Sequence, residues 1–352
     1  MEKVNLKDLS LSEIENLILS LGKEKYRARQ IMKWMYHQGA TSFDEMTSLA
    51  RDFRVKIGEW AEISQPEMVK TQISRDGTKK VLLKLRDGAL IESVLIPGKN
   101  HWTACLSTQV GCRMGCRFCF TSRQGLKRNL SPSEITGQFT LLKFNTPEGP
   151  DIKNIVLMGM GEPLDNYENT LKAVGILTSD PGAGFSHRKL TLSTCGIVPL
   201  IGKLGQDVSV NLAVSLNAAD DKTRSALMPI NNKYPLGVLL AACRSYPMPG
   251  RRMLTFEYIL IAGVNDSRED AEKLARLLRG IHCKLNLIAF NEFPDSTFRA
   301  PADAEVHAFQ GALIKHHYTA VLRKSKGSDI LAACGQLSGQ EKPRREKSFH
   351  GG

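Results

Sequence analysis

The spacing of apolar residues changes character along the chain. Leu11, Ile14, Leu17, Ile18 and Leu21 recur at the period of one helix face, and Gly22 follows as a stop. A second helical stretch runs from Tyr26 to His37 and ends at Gly39. A third is expected to begin at Ser42, with Glu45 completing a capping box. Residues 1–62 therefore read as a helical module. From Pro66 to Pro97 the period shortens, and Asp76-Gly77 and Asp87-Gly88 supply hairpin turns. Residues 63–101 read as a β-hairpin linker. Beyond residue 102, strand patterns at 153–161, 189–194, 208–217, 253–260 and 284–290 alternate with helical ones such as 166–178 and 267–278. That alternation predicts an α/β domain of parallel βα units over 102–335, either a doubly wound sheet or a barrel. Residues 336–352 are polar and basic, with Lys342, Arg344, Arg345 and Lys347, and read as a loose tail.

Composition supports a globular chain: 42% of the 352 residues are apolar and 24% charged. No apolar run approaches the roughly 20 residues that span a bilayer. The N-terminus carries acids where a secretory signal carries basic and apolar residues. A soluble, cytoplasmic protein is expected. Lys plus Arg is 48 and Asp plus Glu 36, a net charge of +12 that suits a polyanion such as nucleic acid. Lys23, Lys25, Arg27, Arg29 and Lys33 crowd the second helix, as a solvated face or a phosphate-binding one.

The cysteines narrow the chemistry. There are eight: Cys105, Cys112, Cys116, Cys119, Cys195, Cys243, Cys283 and Cys334. A chain this long needs no disulfide staples, so a cluster points to metal binding or catalysis. Cys112, Cys116 and Cys119 present three thiolates from one loop at C-x3-C-x2-C spacing. A structural zinc site normally takes four protein ligands. Three suit a 4Fe-4S cluster with one iron left open to a small molecule. A zinc knuckle is the alternative.

The C-x3-C-x-aromatic-C pattern, with Phe118 as the aromatic residue, resembles the radical S-adenosylmethionine superfamily. Further motifs sharpen the match: Cys105-Leu-Ser-Thr-Gln109-Val-Gly-Cys112, Gln124-Gly-Leu-Lys-Arg-Asn-Leu130, Gly159-Met-Gly-Glu-Pro-Leu164, Met228-Pro-Ile-Asn231, and residues 327–337 ending in Cys334-Gly-Gln-Leu337. In this order they resemble the RlmN/Cfr family, radical enzymes that methylate adenine in 23S rRNA and, for some members, tRNA. The resemblance implies a partial (βα)6 barrel, one 4Fe-4S cluster on Cys112, Cys116 and Cys119, and two S-adenosylmethionine molecules per turnover.

Carbon 2 of adenine lies between two ring nitrogens and is too electron-poor to attack a sulfonium methyl. Radical addition is a workable route. The resemblance implies that Cys334 accepts a methyl group, is activated by a radical, and adds to the base as a thiomethylene. Cys105 then forms a disulfide with Cys334 and releases the product, and Glu92 removes the proton from carbon 2. Gly161, Glu162, Ser193, Ser215, Leu216, Asn217 and Asn291 take cofactor-binding positions; many relatives have His where Asn217 stands. Cys195, Cys243 and Cys283 match no catalytic position and are expected in the core. An electron donor such as flavodoxin or ferredoxin and a monomeric state are also implied. Gly161-Glu162-Pro163-Leu164 is closer to the carbon-2 branch than to the carbon-8, resistance-conferring one. A non-catalytic zinc-dependent RNA-binding protein is the alternative of another class.

Overall fold

The computed structural model describes residues 3–147 and 149–339. Helices Leu11–Ser20, Tyr26–His37 and Arg51–Trp60 form the N-terminal module, whose core includes Ile14, Ile18, Ile31, Met32, Met35 and Phe53. Ser10 and Glu13 close a capping box on the first helix. The third helix begins at Arg51 rather than at the expected Ser42. The Ser42–Glu45 box is present, but it closes only the 3-10 turn Phe43–Glu45. The Glu45 carboxylate also accepts from the backbone of Thr41, and Met46 leaves helical geometry at ψ 62°.

Ten strands make one sheet, in the order Glu67–Ile73, Lys79–Lys84, Leu90–Pro97, Trp102–Cys105, Ile152–Leu157, Leu190–Thr194, Asn211–Ser215, Leu254–Leu260, Cys283–Ala289, Thr319–Leu322. The first four pair antiparallel. From Trp102–Cys105 onward every pairing is parallel. Within this sheet each strand neighbours its predecessor in the chain. A doubly wound sheet reverses its order partway; this one does not, so it is an open, partial barrel. One face of its strands carries Phe256, Tyr258, Leu285 and Leu287, fully buried in the core, while the other carries the half-buried Glu257 and Asn286. The edge strand Thr319–Leu322 has no counterpart in the sequence pattern, because four residues are too few to show a period. The hairpin segment continues the barrel sheet directly, through Leu90–Pro97 paired with Trp102–Cys105. Among the described residues no helix is long and apolar enough to cross a membrane.

Residues 336–339, where a tail was expected to start, are ordered against the barrel: Gln336, Leu337 and Ser338 are buried. They are held by hydrogen bonds such as Thr121 Oγ1 to the Leu337 carbonyl at 2.7 Å. The rest of the expected tail, 340–352, lies outside the described residues.

Helix Pro132–Phe144 joins module to barrel, and this explains its burial on nearly every side. Toward the barrel, Gln138 Oε1 accepts from Ser93 Oγ and the Ser107 N–H, both at 2.7 Å. Toward the module, Asp8 accepts from the Ser133 N–H at 2.7 Å, and Tyr36 pairs with Thr136. Lys7 is fully buried in this joint, donating to Thr140 Oγ1 at 3.1 Å and to Gln65 Oε1. Burial lowers its amine from 10.5 to about 7. The folded chain therefore sheds a proton that the unfolded chain keeps between about pH 7 and 10.5, and stability rises with pH across that window. Relative to Lys7→Met, the natural chain should gain on the order of 2 kcal/mol of unfolding free energy between pH 7 and 9. Denaturant melts of both proteins measure this; parallel pH profiles would show that the amine titrates normally.

Candidate active site

The site begins where two backbones cross. Gly159 follows strand Ile152–Leu157, and its N–H donates to the Leu106 carbonyl at 3.0 Å. A Cβ at Gly159 would stand 2.8 Å from that carbonyl and 2.6 Å from Ser107 Oγ. Gly161 has φ +103°, and a Cβ there would meet the Gln109 side chain at 2.6 Å. Both glycines are thus required by close approach, not only by flexibility. The crossing is stitched by Ser107 Oγ donating to the Glu92 carbonyl (2.6 Å) and accepting from the Met160 N–H (2.8 Å).

Just beyond the crossing, Gln109–Gly111 pairs with Leu126–Asn129, and the loop between them carries the clustered cysteines. Gly111 has φ +79°, and a Cβ there would fall 1.9 Å from the Gly125 carbonyl oxygen. The Arg117 N–H donates to the Leu227 carbonyl, and a Cβ at Gly115 would meet Pro229 at 3.4 Å, so Met228-Pro229-Ile230-Asn231 buttresses the loop. Cys112 and Cys116 are buried and Cys119 is half-buried, in an apolar nest that includes Phe118, Met228, Ile261, Phe290 and Phe293. Burial pushes the Cys112 thiol up to about 12 and Cys116 well above its usual range, the latter raised further by Cys119 and Cys112.

The three thiols thus lie within reach of one another's charge. Among the described residues no three His, Cys, Asp or Glu side chains converge closely enough to hold a single metal ion. A zinc site needs four ligands within about 2.3 Å of one centre, and that set is not built. Thiolates of a 4Fe-4S cluster bind separate irons and stand farther apart. The donor chemistry and the apolar nest fit that cluster.

The predicted cofactor residues divide into two kinds. Ser193 and Ser215 are half-buried at the ends of neighbouring parallel strands, available to a ligand. Asn291 also reaches the rim and donates to the Cys334 carbonyl at 3.2 Å. Glu162 is buried, and its oxygens accept from the N–H groups of Leu164 (3.0 Å) and Cys195 (2.8 Å). Burial raises its carboxyl, opposed by the Cys195 N–H. Leu216 has its side chain in the core, its N–H on the Glu257 carbonyl and its carbonyl on Arg224. Asn217 is fully engaged: φ is +59°, Oδ1 accepts from the Ile259 N–H at 2.8 Å, and Nδ2 lies on Met228 Sδ. Asn tolerates this left-handed backbone well. Its side chain shapes the rim rather than offering a free contact.

Two further thiols are Cys105 and Cys334. Cys105 ends strand Trp102–Cys105 and is buried, whereas Cys334 is exposed on the segment after Ser328–Ile330. Burial raises Cys105, and the charge of Cys334 raises it further. Cys334 lies in an open recess: it meets solvent, yet burial by the surrounding protein lifts its thiol to about 11, with Glu257 raising and Arg323 lowering it. Glu92, on strand Leu90–Pro97, is buried and ion-paired with Lys80 at 2.9 Å.

Sequence reasoning missed several residues here. Arg224 is fully buried without a carboxylate contact; it donates to the carbonyls of Leu216 (3.0 Å), Cys195 (2.8 Å) and Ser215 (3.1 Å) and to Asn231 Oδ1 (3.0 Å). It thereby ties the rim segments to the motif under the cysteine loop. A lone Arg in a short helix gives no such signal in the sequence. Glu257 accepts from Asn286 Nδ2 at 2.8 Å inside the barrel. Cys195, expected to be incidental core, lines the cluster loop: its thiol is raised by burial, by Glu162 and by Cys116. Cys243 and Cys283 do lie in the core.

Comparison with known proteins agrees with this geometry. Residues 4–63 match the "Ribosomal RNA large subunit methyltransferase N-terminal domain" and residues 106–278 the "Radical SAM superfamily". A "Dual-specificity RNA methyltransferase RlmN" of Syntrophus aciditrophicus is 67% identical over 97% of this chain and 98% of its own length. One of the same description from Geobacter sulfurreducens is 50% identical over 96% of this chain and 92% of its own length. The crystal structure of a radical SAM methyltransferase from Sphaerobacter thermophilus superposes with a TM-score of 0.91 at 43% identity, covering 96% of this chain and 100% of that one. The chain belongs to the RlmN family of radical S-adenosylmethionine methyltransferases.

Proposed function

We propose that this chain methylates carbon 2 of an adenosine in RNA, with 23S rRNA and tRNA as substrates. The observation that carries the reading is the likeness to two proteins described as dual-specificity RNA methyltransferases, 67% and 50% identical over nearly the whole chain. Cys112, Cys116 and Cys119 would hold a 4Fe-4S cluster, which together with S-adenosylmethionine would supply the methyl group and the hydrogen-abstracting radical.

The chain's own residues do the rest. Cys334, exposed on its segment, carries the carbon to the base. The Glu92 carboxylate takes the proton from carbon 2 as the radical adduct gives up one electron, which the cluster would accept, and the ring recovers its aromaticity. Cys105 loses its proton and attacks the Cys334 sulfur; a disulfide forms, the carbon–sulfur bond breaks, the released carbon takes up a proton to become the methyl group, and the methylated base leaves. Burial of Cys105 keeps its thiol protonated until then, which protects the carbon–sulfur link from early attack. The helix Tyr26–His37 holds RNA through Lys25, Arg29 and Lys33, exposed four residues apart on one face. The reading places the chain in the cytoplasm as a monomer, with electrons from a flavodoxin- or ferredoxin-like donor.

Cys116→Ala should lose the iron and the visible Fe–S absorption together; full iron content in that variant would remove the ligand assignment. Cys105→Ala should stall with RNA joined to Cys334 through a methylene, seen as a nuclease-trimmed mass adduct on the peptide containing Cys334. Free, fully methylated RNA from Cys105→Ala would contradict the resolving step. Replacing Lys25, Arg29 and Lys33 together with Gln should make the salt dependence of RNA binding shallower by about two in log–log slope; an unchanged slope would assign the RNA surface elsewhere.

A further inference from the structure

The carboxylate assigned as the base is not free in this structure. Strands Lys79–Lys84 and Leu90–Pro97 pair with Leu82 opposite Glu92, which puts Lys80 on the diagonal, within side-chain reach. Lys80 Nζ holds Glu92 Oε1 at 2.9 Å, and both side chains are buried. The other oxygen, Oε2, accepts the backbone N–H groups of Ser338 (2.6 Å) and Gly339 (3.0 Å). A carboxylate offers about four lone-pair sites, and three are taken.

The cap on Oε2 belongs to the segment that carries Cys334. Lys80 Nζ also donates to the Leu331 carbonyl at 3.3 Å, so the ammonium holds one end of that segment while Glu92 holds the other. Between them, Phe120 donates to the Gly335 carbonyl at 2.7 Å, and Gln336 Nε2 donates to the Glu292 carbonyl at 2.6 Å. Gly339 has φ +58°, and a Cβ there would stand 2.6 Å from the Leu90 carbonyl oxygen; only glycine closes this contact without displacement. Further back, Asp329 accepts from Ser74 Oγ at 2.6 Å and from the Arg75 N–H at 3.2 Å, anchoring the segment to the hairpin turn.

Resting on the reading of Glu92 as the base and Cys334 as the carbon carrier, we propose that Lys80 is a positioning residue that latches the Cys334 segment over Glu92. While the latch is closed, Oε2 is capped by the segment's own backbone. When the segment lifts, Lys80 keeps Oε1 in place, and the freed oxygen faces the space the segment leaves. Exposure of the base and displacement of Cys334 are then one motion, and proton removal is timed to a base already joined to Cys334. A buried ammonium is needed because a carboxylate that loses its backbone donors in an apolar wall would otherwise be left unpaired.

The test uses the cluster-loaded full chain and the variants Lys80→Met, Lys80→Arg and Glu92→Gln, each checked for an intact thermal melt. Amide hydrogen exchange over residues 331–339, without RNA, should accelerate about tenfold in Lys80→Met and return close to the natural rate in Lys80→Arg. For RNA methylation, kcat of Lys80→Met should fall about a hundredfold with KM for RNA little changed. Natural exchange rates in Lys80→Met would overturn the latch while leaving the base assignment standing. Undiminished methylation by Glu92→Gln would overturn the base assignment beneath it. A rise in KM with kcat intact would reassign Lys80 to RNA binding.

Discussion

The site depends on one close backbone crossing. Residues 106–109 pass so near 159–161 that neither Gly159 nor Gly161 has space for a Cβ. Backbone hydrogen bonds join the two stretches: the Gly159 N–H donates to the Leu106 carbonyl, and the Met160 carbonyl accepts from Thr108 and Gln109. From this contact the functional groups fan outward in the chain. Cys105 is one residue before it and the cysteine loop three residues after. Glu162 directly follows Gly161, and its N–H is held by Gln109 Oε1 at 2.8 Å. Ser107 carries the constraint across to the neighbouring strand at the Glu92 carbonyl, and Gln138 carries it to the helix under the N-terminal module. Two glycines thus fix the relative positions of Cys105, Glu92 and the cysteine loop.

Much of this was legible in the sequence because it is local. The cysteine spacing, the glycine-rich strand end and the Asp76-Gly77 and Asp87-Gly88 turns each lie within a few residues, and each produces its structure through backbone geometry. Gly77 and Gly88 have φ +85° and +82°, as hairpin turns of this kind demand. The choice between a barrel and a doubly wound sheet came from the motif resemblance and not from periodicity, since it lies in strand order and no period records order. The Ser42–Glu45 box misled for a related reason: a cap marks where a helix can start, and the residues beyond it decide whether the helix continues.

The contacts that were missed leave no local pattern. Arg224 collects carbonyls from the ends of strands Leu190–Thr194 and Asn211–Ser215, and Glu92 meets Ser338 from 246 residues away. The place of Asn217 in a motif suggests a ligand contact. Its positive φ and the Ile259 N–H on its Oδ1 show that the side chain also shapes the turn. Motifs identify the places where a family keeps residues; the hydrogen-bond partners show what a side chain in such a place does.

The charge balance around the cysteine loop is set by the same partners. Burial and the neighbouring thiols push Cys112 and Cys116 up, while Arg224 lies near Cys116 as a buried cation bonded only to neutral groups. Burial acts against that cation too, lowering its pKa. Both costs would fall if those thiols became metal-bound thiolates, because the negative charge would form near the positive charge already there. Ligation would release the thiol protons, which would couple metal loading to pH. Neutral substitution of Arg224 would leave the thiols as buried as before but without their counter-charge, since the neighbouring carboxylate of Glu162 repels thiolate at Cys116. The arginine that favours thiolate at Cys116 is the same one that ties the strand-end rim together.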